Sequence, residues 1–389
     1  MKDFGLYIHV PFCRSKCAYC DFYSLSGHEG CDLAAYPEAL RREMDSRQDF
    51  NGFSTLSSIY FGGGTPSLLQ PEQFGFIFDR ISERWNPAED CEITFEANPD
   101  DLSDNYLSLL RHPDKALPFN RVSIGCQSFD DGELRRVGRR HTAEQAFRAV
   151  ERCRAHGLGN ISIDLMYGLP GQTLESFSRS LDKALELNVP HISAYMLSLA
   201  PEVPLERARL RGEWQEADDE TARAMFHLLV EKLLAAGYEH YEISNFARPG
   251  FRSRHNSSYW QGKAYLGLGP GAHSYNGGAD GRHIRRWNAR HLKEYLAGNF
   301  VYEEEELCLS DRYNDFIMTR ARTCEGIDLD VLQAEFGEEM LEYCLHEARP
   351  YLQNGQLVQY LDGQGKRHLK ISSGALFVSD GITADLFYV

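Results

Sequence analysis

Cys13, Cys17 and Cys20 stand close together in YIHVPFCRSKCAYC, directly after an apolar, strand-like run. A structural zinc site wants four ligands, usually from two C-x2-C pairs, and the chain has no second C-x2-C. A redox pair would use Cys17 and Cys20 and leave Cys13 without a role. An iron–sulfur cluster on three thiolates accounts for all three and keeps one iron free for an outside ligand. The spacing favours the cluster, with zinc and plain packing as the alternatives.

Other polar residues gather at the ends of apolar runs. FGGGTPS contains Gly63, Gly64 and Thr65; it reads either as a glycine turn or as a loop whose backbone approaches a ligand. It is neither GxGxxG nor a Walker A loop. In EITFEANPD, Glu92 and Glu96 share a face by strand alternation, and Glu96 sits among Ile93, Phe95 and Ala97. A buried carboxylate there needs a partner, either an arginine or the amine of a ligand. Gln127 in GCQSF, Arg139, and Asp164 in ISIDLMYGLPGQT are polar groups at strand ends or helix starts. Each alone reads as structural, and their common placement favours a site. HNSSYW joins His255 to Tyr259 and Trp260: a hydrogen-bonded imidazole, or one that serves a flat, metal-bearing aromatic ligand.

The elements that must position these groups alternate. Leu6–Val10, Ser58–Phe61, Glu92–Ala97, Arg121–Cys126, Asn160–Leu165 and His191–Met196 read as strands. Ala34–Met44, Pro71–Trp85, Asp104–Leu110, Ala143–His156 and Leu174–Leu187 read as helices, the fourth opened by a capping box from Thr142 and Gln145. Six such units imply an α/β parallel sheet, closed or open, with function at the C-terminal ends of its strands. The polar residues fall there. A core over 1–240 is expected, then a Gly- and aromatic-rich segment over 241–305 that completes it. The acidic run Glu303–Glu306 reads as a solvated linker, and 306–389 as a small helix-plus-hairpin domain.

Composition narrows the classes. The 389 residues are 42 % hydrophobic and 25 % charged, as in a soluble globular protein. A net charge of −16 argues against a phosphate-backbone binder, so no nucleic-acid partner is expected. No apolar run is long enough to span a bilayer. The first residues run into a strand without a basic n-region, so secretion is not expected. The other seven of the 10 cysteines are scattered singly, which reads as buried thiols in a reducing, cytoplasmic compartment.

The C-x3-C-x2-C spacing, with an aromatic before the last cysteine, resembles the cluster motif of radical S-adenosylmethionine (SAM) proteins. YIHVPFC, FGGGTPS, EITFEANP, RVSIGCQSF, IDLMYGLPGQT and YLGLGPGAHS together resemble the branch containing oxygen-independent coproporphyrinogen III oxidase. The resemblance implies a partial TIM-type (β/α)6 barrel with a small winged-helix-like α+β C-terminal domain. It implies a [4Fe–4S] cluster on Cys13, Cys17 and Cys20, with SAM on the open iron. SAM contacts are then expected from Tyr7, Tyr19, Gly63, Gly64, Thr65, Glu96, Gln127, Arg139 and Asp164. The oxidase subgroup typically carries another cysteine where this chain has Phe22, and a long N-terminal arm where this chain has six residues before Tyr7. Both departures, with HNSSYW, resemble the haem-chaperone subgroup, which binds haem and passes it to client proteins, with His255 as the candidate haem contact. The expected partners are haem, haem-requiring clients and an electron donor, with any membrane association only peripheral and through clients. No catalytic residue is assigned. The competing expectations are a coproporphyrinogen oxidase or other tetrapyrrole-modifying enzyme, and a zinc-stabilised binding module.

Overall fold

The computed structural model describes residues 2–27, 31–47, 50, 52–112, 116–278 and 280–389. Six strands alternate with helices as the sequence pattern requires: β1 (Lys2–Val10), β2 (Phe53–Gly63), β3 (Asn86–Ala97), β4 (Arg121–Gln127), β5 (Ile161–Tyr167) and β6 (His191–Met196). They pair in parallel, in chain order. Parallel strands are covered on both faces, so their sequences are near-continuously apolar. Val122, Ile124, Ile161 and Ile163 are all fully buried. Phe119 anchors an aromatic cluster in this core, with ring centroids 4.7 Å from Phe95 and 4.9 Å from Phe74. Each such side chain contributes about 1.5–3 kcal/mol by leaving water.

The sheet continues past both ends of this set. Beside β1 lies β9 (Tyr265–Leu268), parallel to it, followed by the antiparallel β10 (His273–Tyr275), β11 (Ile284–Asn288) and β12 (Tyr302–Glu306). Beside β6 lie β8 (Asn245–Ala247) and β7 (Glu239–Glu242). The result is an open twelve-stranded sheet, its edge strands β12 and β7 left unjoined. The acidic run at 303–306 is therefore an edge strand and not a linker. Glu305 and Glu304 stand opposite Arg285 and Arg286 on β11, in cross-strand pairs worth ~0.2–1 kcal/mol each.

The C-terminal part has its own buried cluster, including Leu332, Cys344 and Leu369. Its order is α1 (Leu309–Ala321), β13 (Ile327–Asp328), α2 (Leu329–Phe336), α3 (Glu338–Gln353), then the hairpin β14 (Leu357–Leu361) and β15 (Arg367–Ile371). That is the helix–strand–helix–helix–hairpin order expected of a winged-helix-like appendage. Among the single cysteines, Cys91, Cys126, Cys153 and Cys344 are buried, but Cys308 is exposed and Cys324 half-buried. The Cys31 side chain lies outside what is described. No helix among the described residues is long and apolar enough to cross a membrane.

Candidate functional site

The cysteine loop leaves the end of β1 and folds back so that Phe12–Cys13 pairs with Leu25–Ser26. A cavity of about 560 Å³ opens there, at the C-terminal ends of the parallel strands. Cys13, Cys17 and Cys20 line it together with Tyr19, Gly63, Gly64, Thr65, Glu96, Gln127, Arg139 and Asp164. Residues scattered over 150 positions of sequence thus share one space because parallel βα units deliver all their strand ends to the same side.

The glycines serve the cysteine loop first. A Cβ on Gly64 would come 2.6 Å from the Phe12 carbonyl oxygen and 2.7 Å from that of Val10. Its amide donates to the Val10 oxygen at 2.8 Å. Gly63 adopts φ +104°, and a Cβ there would strike the His9 ring at 2.5 Å. The loop's lack of side chains therefore lets two backbone segments close on each other, which fixes where the thiols start.

Thr65 Oγ1 donates to Cys13 Sγ at 3.4 Å, and Arg139 Nη1 donates to Cys17 Sγ at 3.4 Å. Burial pushes the Cys13 and Cys20 thiols up from their ordinary range. A coordinating metal reverses that balance by deprotonating the thiol outright. No three His, Cys, Asp or Glu side chains among the described residues are gathered to hold a single ion. The three thiols instead line one cavity.

The same cavity also carries charge. Glu96 accepts from the Tyr60 hydroxyl at 2.8 Å and from the Gly63 amide at 3.2 Å. Burial pushes it up to about 7; the Tyr60 bond opposes this, and the Asp164 charge adds to it. Asp164, held by Ser123 at 3.3 Å, is also raised by burial. Two carboxylates that resist ionising together favour a cationic ligand group. Arg139 Nη2 donates to Asn98 Oδ1 at 2.6 Å and to the Gly125 oxygen at 2.5 Å. Its Nε is buried without a hydrogen-bond partner among the described residues. Gln127, a non-glycine residue, holds φ +66° at the end of β4, the kind of strained backbone that collects at ligand sites. The thiols, the acidic pair and the guanidinium fit a cluster plus a ligand bearing both an amine and a carboxylate.

Two expected residues lie elsewhere. Tyr7 lines a second cavity, of about 760 Å³, and its hydroxyl bonds His9 Nδ1 at 3.1 Å. His255 is buried and lines neither cavity. Its Nδ1 meets Ser58 Oγ at 2.8 Å and its Nε2 meets the Tyr259 hydroxyl at 2.8 Å. Burial, with Arg121 nearby, pushes the imidazole down to about 3, so it is neutral. Glu92 is also structural: its carboxylate accepts the Arg254 and His255 amides at 3.1 and 3.0 Å. Sequence reasoning passed over Asn98, which bridges Thr65 and Arg139. Its position, two residues past Glu96 at a strand end, was a usable signal.

The chain matches the family model "Radical SAM superfamily" over 7–184 and "HemN C-terminal domain" over 307–362. It is 34 % identical to the heme chaperone HemW of Bacillus subtilis, covering 92 % of this chain and 95 % of that protein. It is likewise 34 % identical to the heme chaperone HemW of Escherichia coli, over 91 % and 94 %. Among solved structures it resembles the E. coli coproporphyrinogen III oxidase HemN, with a TM-score of 0.82 at 23 % identity, over 99 % of this chain and 90 % of that one. At that identity the likeness speaks for the fold alone.

Proposed function

We propose, for a chain that belongs to the radical SAM superfamily and within it to the family of the heme chaperone HemW, that it binds haem and delivers it to haem-requiring client proteins. The observation that carries this is the likeness to curated haem chaperones along nearly the whole chain. The cavity supports the accompanying reading that Cys13, Cys17 and Cys20 hold a [4Fe–4S] cluster with SAM as its outside ligand. When bound, that cluster supplies an open coordination site and an electron for cleaving a sulfonium bond.

The chain's own residues then have defined tasks. Glu96 and Asp164 take the ligand's cationic amine, which stabilises their ionised forms. Arg139 offers its unpartnered Nε–H to an anionic group while its other nitrogens fix Asn98 and the Gly125 carbonyl. The Gly63–Gly64 turn holds the cysteine loop against β2. We place the protein in the cytoplasm, served by an electron donor, with haem as cargo and not as substrate of a chemical change.

The test is a pair of assays on anaerobically reconstituted protein. Iron and sulfide should approach four each per chain and fall away in Cys17→Ala; stoichiometric zinc without sulfide would overturn the cluster. Incubation with SAM, reductant and coproporphyrinogen III should yield no catalytic protoporphyrinogen, while haem-loaded protein should pass haem to an apo-protein acceptor. Catalytic turnover would overturn the chaperone reading in favour of an oxidase.

A further inference from the structure

The second cavity adjoins the first: Asp21 and Phe22 line both, and Phe22 is 63 % exposed. Tyr7 and His9 of β1, the β9–β11 extension and the C-terminal part line it together. Its volume falls in the ~300–1,000 Å³ range of small-molecule sites. Tyr259, Trp260 and Phe336 give it aromatic walls, and the Trp260 Nε1–H is buried without a partner among the described residues.

Charge points to the kind of ligand. The chain is strongly acidic, yet this cavity is lined by five lysines and arginines against three aspartates and glutamates. Arg285 is taken by Glu305 and Asp315, and Arg320 by the carbonyls of Trp260 and Gln261, each at 2.9 Å. Arg290 and Arg312 have no ion-pair partner among the described residues, and Arg312 lies over the Phe336 ring at 5.6 Å. Two guanidiniums without an ion-pair partner, one of them over an aromatic face, suit a flat, dianionic molecule.

His273 adds a metal ligand. It is exposed into this cavity and stacks on Trp287 at 6.3 Å. Neither ring nitrogen has a hydrogen-bond partner among the described residues. By contrast His9 spends Nε2 on the Tyr23 carbonyl at 2.7 Å and Nδ1 on Tyr7, and His283 spends Nδ1 on the Tyr275 hydroxyl at 2.7 Å.

We propose that the second cavity is the haem site, with His273 ligating the iron, Arg290 and Arg312 meeting the two propionates, and Phe22 at the edge nearest the thiol cavity. This rests on the haem-chaperone reading and assigns that reading a place. Stacking and apolar walls hold the macrocycle, and the arginines set its orientation.

Haemin titrated into reconstituted full-length protein tests it. The wild type should show a shifted Soret band; His273→Ala should lose the histidine-ligated spectrum and regain it on addition of free imidazole. Arg290→Ala with Arg312→Ala should weaken haemin about tenfold or more, and bind haemin dimethyl ester as the wild type does. SAM affinity should be unchanged in both, which shows that they fold. An unaltered spectrum in His273→Ala, or unaltered haemin affinity in the double variant, overturns the placement while leaving the chaperone reading intact. A wild type that binds no haemin overturns both.

Discussion

Arg139 Nη1 lies 3.4 Å from the Cys17 sulfur while Nη2 of the same guanidinium holds Asn98 and the Gly125 carbonyl. One side chain therefore ties the cysteine loop to the strand ends of β3 and β4. Only a planar fork can make all three contacts with Nε still free. Arg139→Lys keeps the charge but loses that geometry. Its SAM affinity should fall about tenfold or more, the worth of one or two charge-assisted bonds, with iron and sulfide content near wild type. Calorimetric titration of SAM against the reconstituted variant checks this; unchanged affinity would remove Arg139 from the ligand.

Glu96 gives a pH prediction with two signs. Its folded value is near 7, against an ordinary 4.5. Between these values the folded apo-protein keeps a proton that the unfolded chain releases, so this stabilising contribution is present below pH 4.5 and lost as pH rises through 7. Ligand binding runs the other way, because an amine prefers the ionised carboxylate. SAM affinity should thus drop as pH falls below 7, and Glu96→Gln should bind weakly and without that slope. Melting of apo-protein at pH 5.5 and 8, wild type against Glu96→Gln, checks the first sign; SAM titrations across the same range check the second.

The parallel core and its strand-end chemistry were legible because each rests on local pattern. Apolar runs marked β1–β6, and Thr142 with Gln145 does form the capping box at Ala143–Ala155. The sheet's extension was not legible. β9 is four residues containing a glycine, and β11 is half-buried throughout, so neither alternates. What aligns β11 with β12 is a row of Arg–Glu contacts that appear only after the chain has turned back. Gln127's positive φ carries no glycine to announce it. The surroundings of His255 depend on Ser58, 197 residues away, and no spacing rule reaches that far.

Gly64 sets the cysteine loop by close backbone approach. In Gly64→Ala the new methyl must displace the Phe12 and Val10 carbonyls, since backbone cannot swing aside as a side-chain tip can. Overpacking of this kind costs about 1–3 kcal/mol. The expected result is a lower urea midpoint together with poor cluster incorporation, read as iron and sulfide per chain. Gly75→Ala, where a Cβ meets nothing within 4 Å, is the control and should leave cluster content unchanged.

His255 separates a structural imidazole from a haem ligand. Both nitrogens are engaged, its ring lies 5.0 Å from that of Tyr60, and its pKa near 3 keeps it neutral. Truncation to alanine opens a void and leaves Ser58 and Tyr259 short of a partner, a loss of about 2–4 kcal/mol by cavity and hydrogen-bond terms together. His255→Ala should therefore melt well below the wild type at any pH from 5 to 8. At a temperature where it stays folded, its haem spectrum should match the wild type, since His273 remains. Loss of the histidine-ligated spectrum in His255→Ala, with its retention in His273→Ala, would mean that the buried imidazole swings out to meet haem. The two variants measured side by side decide which histidine holds the iron.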